Sequence, residues 1–134
     1  MNVYLWVAIG GALGSVTRLG AMELGARLWG HDFPWATFAV NIVGCFVIGF
    51  FATATDGDAG GRWPVGIVGR QFFMTGVLGG FTTFSAFSLQ TLALARGGEW
   101  MKAGGYVAGS VVLCLVGVWL GHIVALAINP AQVR

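Results

Sequence analysis

Of the 134 residues, 57% are hydrophobic and only 9% are charged, with a formal net charge of +2. An ordinary soluble domain carries roughly 25% charged residues, so a chain this poor in charge cannot cover itself for water. The net charge is too small to imply a nucleic-acid partner or a polybasic membrane tether, and no run of basic residues exists anywhere in the chain.

The first apolar stretch, 3–28, is free of charge up to Arg18 and then carries Glu23 and Arg27. That pattern predicts a membrane helix with a wet or partner-facing end. Nothing basic precedes Val3 and no small-residue cleavage pattern follows a short apolar core, so the stretch reads as a retained helix. Gly10, Gly11 and Gly14 crowd one part of it, as small residues do where helix backbones approach closely in lipid. Trp29 to Pro34, with Gly30 inside it, marks a turn. A second span is expected at 35–55, where Phe33 to Thr55 holds no charge. Asn41 lies within it; an amide in mid-membrane either ties two helices together or faces a pathway.

Thr55 to Pro64, with Asp56, Asp58, Gly57, Gly60, Gly61 and Arg62, is the longest polar loop. The third span, 66–96, is uncharged from Gln71 to Ala95, and the fourth, 103–129, lies in a stretch uncharged from Ala103 to Val133. Each uncharged run is long enough to cross a hydrocarbon core of about 30 Å as a helix. Trp29, Trp35, Trp63 and Trp100 fall at the edges, where amphipathic rings favour the headgroup level. The expected fold is therefore an all-α integral membrane protein, one domain over 1–134 with four transmembrane helices. Cys45 and Cys114 fall in apolar spans with no His or Cys at metal spacing, and are expected to be buried small hydrophobes, neither disulfide nor ligand pair.

With four spans, Arg62, Arg70 and Arg134 lie toward one side of the membrane and Arg27, Arg96 and Lys102 toward the other. Orientation follows an excess of Lys and Arg on the cytoplasmic side, and this tie predicts a chain that inserts both ways, hence an antiparallel homodimer.

The densest polar pattern lies in the third span. In Gly76-Val77-Leu78-Gly79-Gly80-Phe81-Thr82-Thr83, three glycines precede two β-branched hydroxyl residues, and the helix could break there. A break frees backbone carbonyls, which the bilayer tolerates only where protein, water or an ion satisfies them; such carbonyls bind small cations in channels and transporters. Alternatively, Thr82 and Thr83 bond back to the preceding turn and merely bend the helix. Downstream, Phe84 and Phe87 share one helical face. Two ring edges can hold an anion where no cationic side chain is available, although phenylalanine in a membrane helix is commonly filler. Ser110 supplies a further donor at comparable depth. No span centre carries Asp or Glu, which disfavours a proton-coupled pump, and neither His31 nor His122 has a partner for metal or base chemistry. No catalytic constellation is present, so the chain is not expected to be an enzyme.

Three strings together resemble the Fluc (CrcB) fluoride channels: Gly10 to Arg18, Thr37 to Phe46, and Gly76 to Phe87. The resemblance runs through nearly the whole chain in order and length. It implies an antiparallel homodimer with two anion pores, a structural Na+ at the dimer centre, and passive fluoride export across the bacterial cytoplasmic membrane. Carried over by position, the carbonyls of Gly79 and Thr82 from both subunits would hold the sodium. Phe84 and Phe87 would offer ring edges to fluoride, and Asn41 its amide. Tyr106 and Ser110 would line the pore, and Arg18 would sit at a wet vestibule. The chain departs from the family pattern at Leu19, Ala86 and Gln90, where relatives often carry an aromatic residue, a threonine and an acidic residue. The alternative from another class is a small multidrug-resistance-type proton-coupled exporter, which would need a carboxylate among Ile9 to Ser15, and none is there.

Overall fold

A computed structural model describes residues 2–57 and 61–129, so Asp58, Gly60, Val133 and Arg134 lie outside the described residues. All regular structure among them is helical: α1 (Val3–Trp29), α2 (Trp35–Ala54), α3 (Ile67–Arg70), a π-helical stretch Gln71–Leu78, α4 (Gly79–Phe81), α5 (Phe84–Arg96) and α6 (Trp100–Ile128). Four segments are long and apolar enough to cross a membrane: α1, α2, the composite third span Ile67–Arg96, and α6. The fourth starts at Trp100, three residues ahead of the expected 103, because Glu99 occupies its N-cap and Gly98, at φ 80°, makes the turn before it. Gly30, at φ 74°, closes α1 in the same way, its N–H reaching back to the Ala26 carbonyl.

Lipid offers no hydrophobic drive between helices, so they associate by close packing and polar contacts. Two seams carry the packing, α1 against the first half of the third span and α2 against α6. Glycines set both. A Cβ on Gly14 would fall 2.0 Å from the Val77 carbonyl oxygen, and one on Gly80 would fall 2.5 Å from that of Gly11. On the other seam, a Cβ on Gly49 would meet the Val118 carbonyl at 2.1 Å, and one on Gly121 the Phe46 carbonyl at 2.1 Å. Large apolar side chains, among them Leu13, Val16, Leu24, Val112 and Leu115, point outward, the arrangement of a body solvated by lipid.

The end of the molecule that carries the second loop is tied by polar contacts. Arg70 donates to the Ala52 carbonyl (3.1 Å) and to Thr55 Oγ1 (2.7 Å). Arg62 reaches the Ile128 carbonyl at 3.2 Å, and its N–H donates to Asn129 Oδ1 at 3.0 Å. These contacts satisfy carbonyls that the C-terminal turns of α2 and α6 leave without helical partners.

Candidate functional site

The third span is interrupted. Thr82 (φ −81°, ψ 159°) and Thr83 (φ −154°, ψ 117°) are both extended, so the helix that ends at Phe81 resumes only at Phe84. Both readings of the threonine pair are realised, one at each residue. Thr82 Oγ1 bonds back to the Leu78 carbonyl at 2.9 Å, whereas Thr83 caps the next helix by accepting the Ala86 N–H at 3.2 Å.

Asn41, on α2, holds the interruption in place. Its Nδ2 donates to the Thr83 carbonyl at 3.0 Å and its Oδ1 accepts the Thr83 N–H at 2.8 Å. In a continuous helix that N–H would have closed on the Gly79 carbonyl, so the Asn41 contact relieves Gly79 of its ordinary partner. The Arg18 guanidinium donates to the Thr82 carbonyl at 3.3 Å. An amide and a guanidinium from two other helices thus take up backbone groups that the break exposes, as the bilayer interior requires. Gly79 itself lies on the exposed surface of the single chain.

Phe84 and Phe87 stand together, ring centroids 5.2 Å apart at 49°. They differ in surroundings. Phe84 is 77% exposed and Phe87 only 7%, because Phe87 turns inward onto Tyr106 at 5.1 Å. Tyr106 is wholly buried and meets Phe33 edge-on at 5.4 Å, so an aromatic column runs from the break to the first loop. The Tyr106 hydroxyl donates to Gln90 Oε1 at 2.9 Å. Ser110 lies one turn further along α6, and its buried Oγ has no partner among the described residues; the same holds for Thr37 Oγ1 on α2. Both belong to the α2–α6 pair, and such unsatisfied buried hydroxyls are uncommon.

Three cavities surround these groups. One of about 270 Å³ borders the break and is lined by Asn41, Gly79, Thr82, Thr83 and Phe84. A second, about 570 Å³, holds Arg18, Ser15 and Ser85. The third, about 450 Å³, opens beside the first loop and is lined by Thr37, Gln90, His31 and Asp32. The structure therefore gathers Asn41, Gly79, Thr82, Arg18 and Phe84 around the break, and sets Phe87, Tyr106 and Ser110 deeper, against α2 and α6. Thr37 and Gln90 were not singled out as site residues from sequence, although Thr37 precedes Asn41 by one turn and Gln90 follows Phe87 by three residues, so each shares a helical face with a residue that was.

A model of the family described as "CrcB-like protein, Camphor Resistance (CrcB)" matches residues 5–122. The chain belongs to the CrcB family. Three similar proteins each bear the name fluoride-specific ion channel FluC. That of Opitutus terrae is 61% identical over 132 residues, covering 98% of both chains. That of Methylocella silvestris is 53% identical over 129 residues, covering 96% of this chain and 97% of its own. That of Rhodospirillum rubrum is 55% identical over 126 residues, covering 94% and 96%. Among the described residues no group of three or more His, Cys, Asp or Glu is placed to hold a metal ion.

Proposed function

We propose that this chain is a fluoride-selective ion channel, not an enzyme, which lets fluoride leave the cell passively across the bacterial cytoplasmic membrane and so relieves fluoride toxicity. One observation carries the reading: an interrupted membrane helix, its freed backbone held by Asn41 and Arg18, stands directly beside the paired rings of Phe84 and Phe87. The full-length likeness to proteins named as fluoride-specific channels supports the ion.

Fluoride is small and tightly hydrated, so a pore must replace its water with donors while holding it loosely enough for release. The groups at hand are neutral and weak: the second Nδ2–H of Asn41, the ring edges of Phe84 and Phe87, and the buried hydroxyl of Ser110, with the Tyr106 hydroxyl beyond. An inside-negative potential drives an anion outward by about 2.3 kcal/mol per charge per 100 mV, so efflux needs no coupling. The proton-coupled exporter finds no support, because residues 9–15 hold no carboxylate and the similar proteins are channels.

The functional unit in this reading is an antiparallel homodimer. The exposure of Phe84 and Gly79 on a single chain supports it, since a partner would cover both and complete a path along Phe84. A sodium ion at the dimer centre fits the donor set. The Gly79 carbonyl lacks its helical donor and the Thr82 carbonyl makes only one long contact, with Arg18; both are hard oxygens suited to a hard monovalent cation. Gly79 and Thr82 from two chains would hold the ion, and it would neutralise the carbonyl dipoles that the break leaves facing the interface.

The test is halide efflux from liposomes containing the purified protein, with an anion-selective electrode. Fluoride should leave far faster than chloride, and Phe84→Ala or Phe87→Ala should slow fluoride while the protein still elutes as a dimer. Equal rates for the two halides would sink the selectivity claim, and full transport by both variants would reduce the rings to filler.

A further inference from the structure

The cavity of about 270 Å³ at the break carries, on its α2 and α6 side, chemistry that anion conduction does not use. Cys45 on α2 and Cys114 on α6 lie far apart in sequence, yet the packing of α2 against α6 brings both residues to the wall of one cavity. Both are free, and both are half-buried rather than fully buried. They line the cavity of about 270 Å³ together with Met74 from the π-helical stretch, so two thiols and a thioether converge on one space from three helical segments.

We propose that Cys45, Cys114 and Met74 form a binding site for a soft, thiophilic d10 cation of the mercury(II) type. Thiolate and thioether sulfur select soft cations, whereas zinc in a structural site takes four N or S ligands and would find too few here. Two metal–sulfur bonds of about 2.3 Å hold their sulfurs about 4.6 Å apart in a linear site and closer in a bent one, a spacing suited to two cysteines that line one cavity. Charge decides the valence. Two thiols lose two protons to water and two Hg–S bonds form, with no change of oxidation state, so that Hg2+ becomes a neutral dithiolate. A neutral product avoids the desolvation cost that an ion alone would meet at this depth. Bound there, the cation fills space beside Asn41 and Phe84 and stops efflux, a consequence that rests on the channel reading above, whereas the binding itself does not.

The experiment uses the full-length protein in detergent, loaded with mercuric nitrate, desalted in EDTA and then challenged with rising glutathione; retained mercury is counted by elemental mass spectrometry and the thiolate charge-transfer band followed in the near ultraviolet. Wild type should keep about one mercury per chain up to a glutathione concentration about 100-fold higher than strips Cys45→Ser or Cys114→Ser, because the second thiolate acts intramolecularly. Met74→Leu should fall between. Loss from wild type and single-cysteine variants at the same glutathione concentration, two separately mercurated thiols per chain, or a native mass lower by two hydrogens would each overturn the site. In liposomes, mercury should abolish wild-type fluoride efflux and spare Cys114→Ser relative to its own metal-free rate; retained metal with undiminished efflux would leave the site standing and overturn only its link to the pathway.

Discussion

The third span and helix α6 are both rich in glycine, yet only the third span breaks. α6 carries Gly104, Gly105, Gly109, Gly117 and Gly121 and runs uninterrupted for 29 residues. The third span carries Gly69, Gly76, Gly79 and Gly80, and its helix stops at Phe81. Glycine in itself therefore does not interrupt a membrane helix. In both places it permits close approach, Gly80 to the Gly11 carbonyl and Gly121 to the Phe46 carbonyl. What the third span has in addition is an outside partner for the backbone, the Asn41 amide, which offers Thr83 the two hydrogen bonds that helix continuation would otherwise supply. A break persists in lipid where its loose ends are met.

The sharpest way to break that comparison is Asn41→Leu. It strands a buried N–H and a buried carbonyl, each worth about 1–3 kcal/mol, so unfolding in detergent should show a loss of roughly 2–6 kcal/mol. A stable Asn41→Leu protein with undiminished fluoride efflux would show that the break needs no partner. Gly14→Ala and Gly121→Ala come next. Each places a methyl about 2 Å from a backbone oxygen on a different seam, and overpacking of that kind costs about 1–3 kcal/mol. Similar losses in the two would establish that glycine does the same work in the broken span's seam as in the continuous helix's; a harmless Gly14→Ala would separate them.

Thr53→Val removes an interhelical contact at the other end of the same helix pair, where Thr53 Oγ1 lies 2.8 Å from His122 Nδ1. Its Oγ1 already donates to the Gly49 carbonyl, which leaves His122 as the donor. Interhelical hydrogen bonds in membranes average about 0.6 kcal/mol, and the unfolding midpoint should move by no more than that implies. Gly104→Ala should change least, within about 0.5 kcal/mol, because nothing lies within 4 Å of the added methyl. A loss comparable to that of Gly121→Ala would mean that Gly104, too, is packed against a neighbour, and would point to a partner chain.

The parts legible in the sequence were those that depend on the solvent. Uncharged runs with tryptophan at their edges place four membrane helices whatever the neighbours do, and Gly79-Gly80-Phe81-Thr82-Thr83 marked the weak point of the third. The role of Asn41 was not legible, because its two options, tying helices or facing a path, differ only in what stands opposite. Thr83 stands opposite, and the amide serves it with one N–H to spare. Cys45 and Cys114 read as small hydrophobes for the same reason, as nothing in their spacing says that α2 and α6 pair.

Residue chemistry alone determined that this chain must live in lipid, that its backbone must be satisfied from within, and that no carboxylate stands at the centre of a span. Those properties follow from composition and local order, which act on each segment separately. Only the tertiary structure decided which side chains meet the loose ends at Thr82 and Thr83, that Phe87 turns inward while Phe84 faces out, and that two thiols share one cavity wall. Such pairings depend on how helices slide and rotate against one another, and in a medium as apolar as the helices themselves that is settled by the fit of glycine-lined backbones and a few hydrogen bonds.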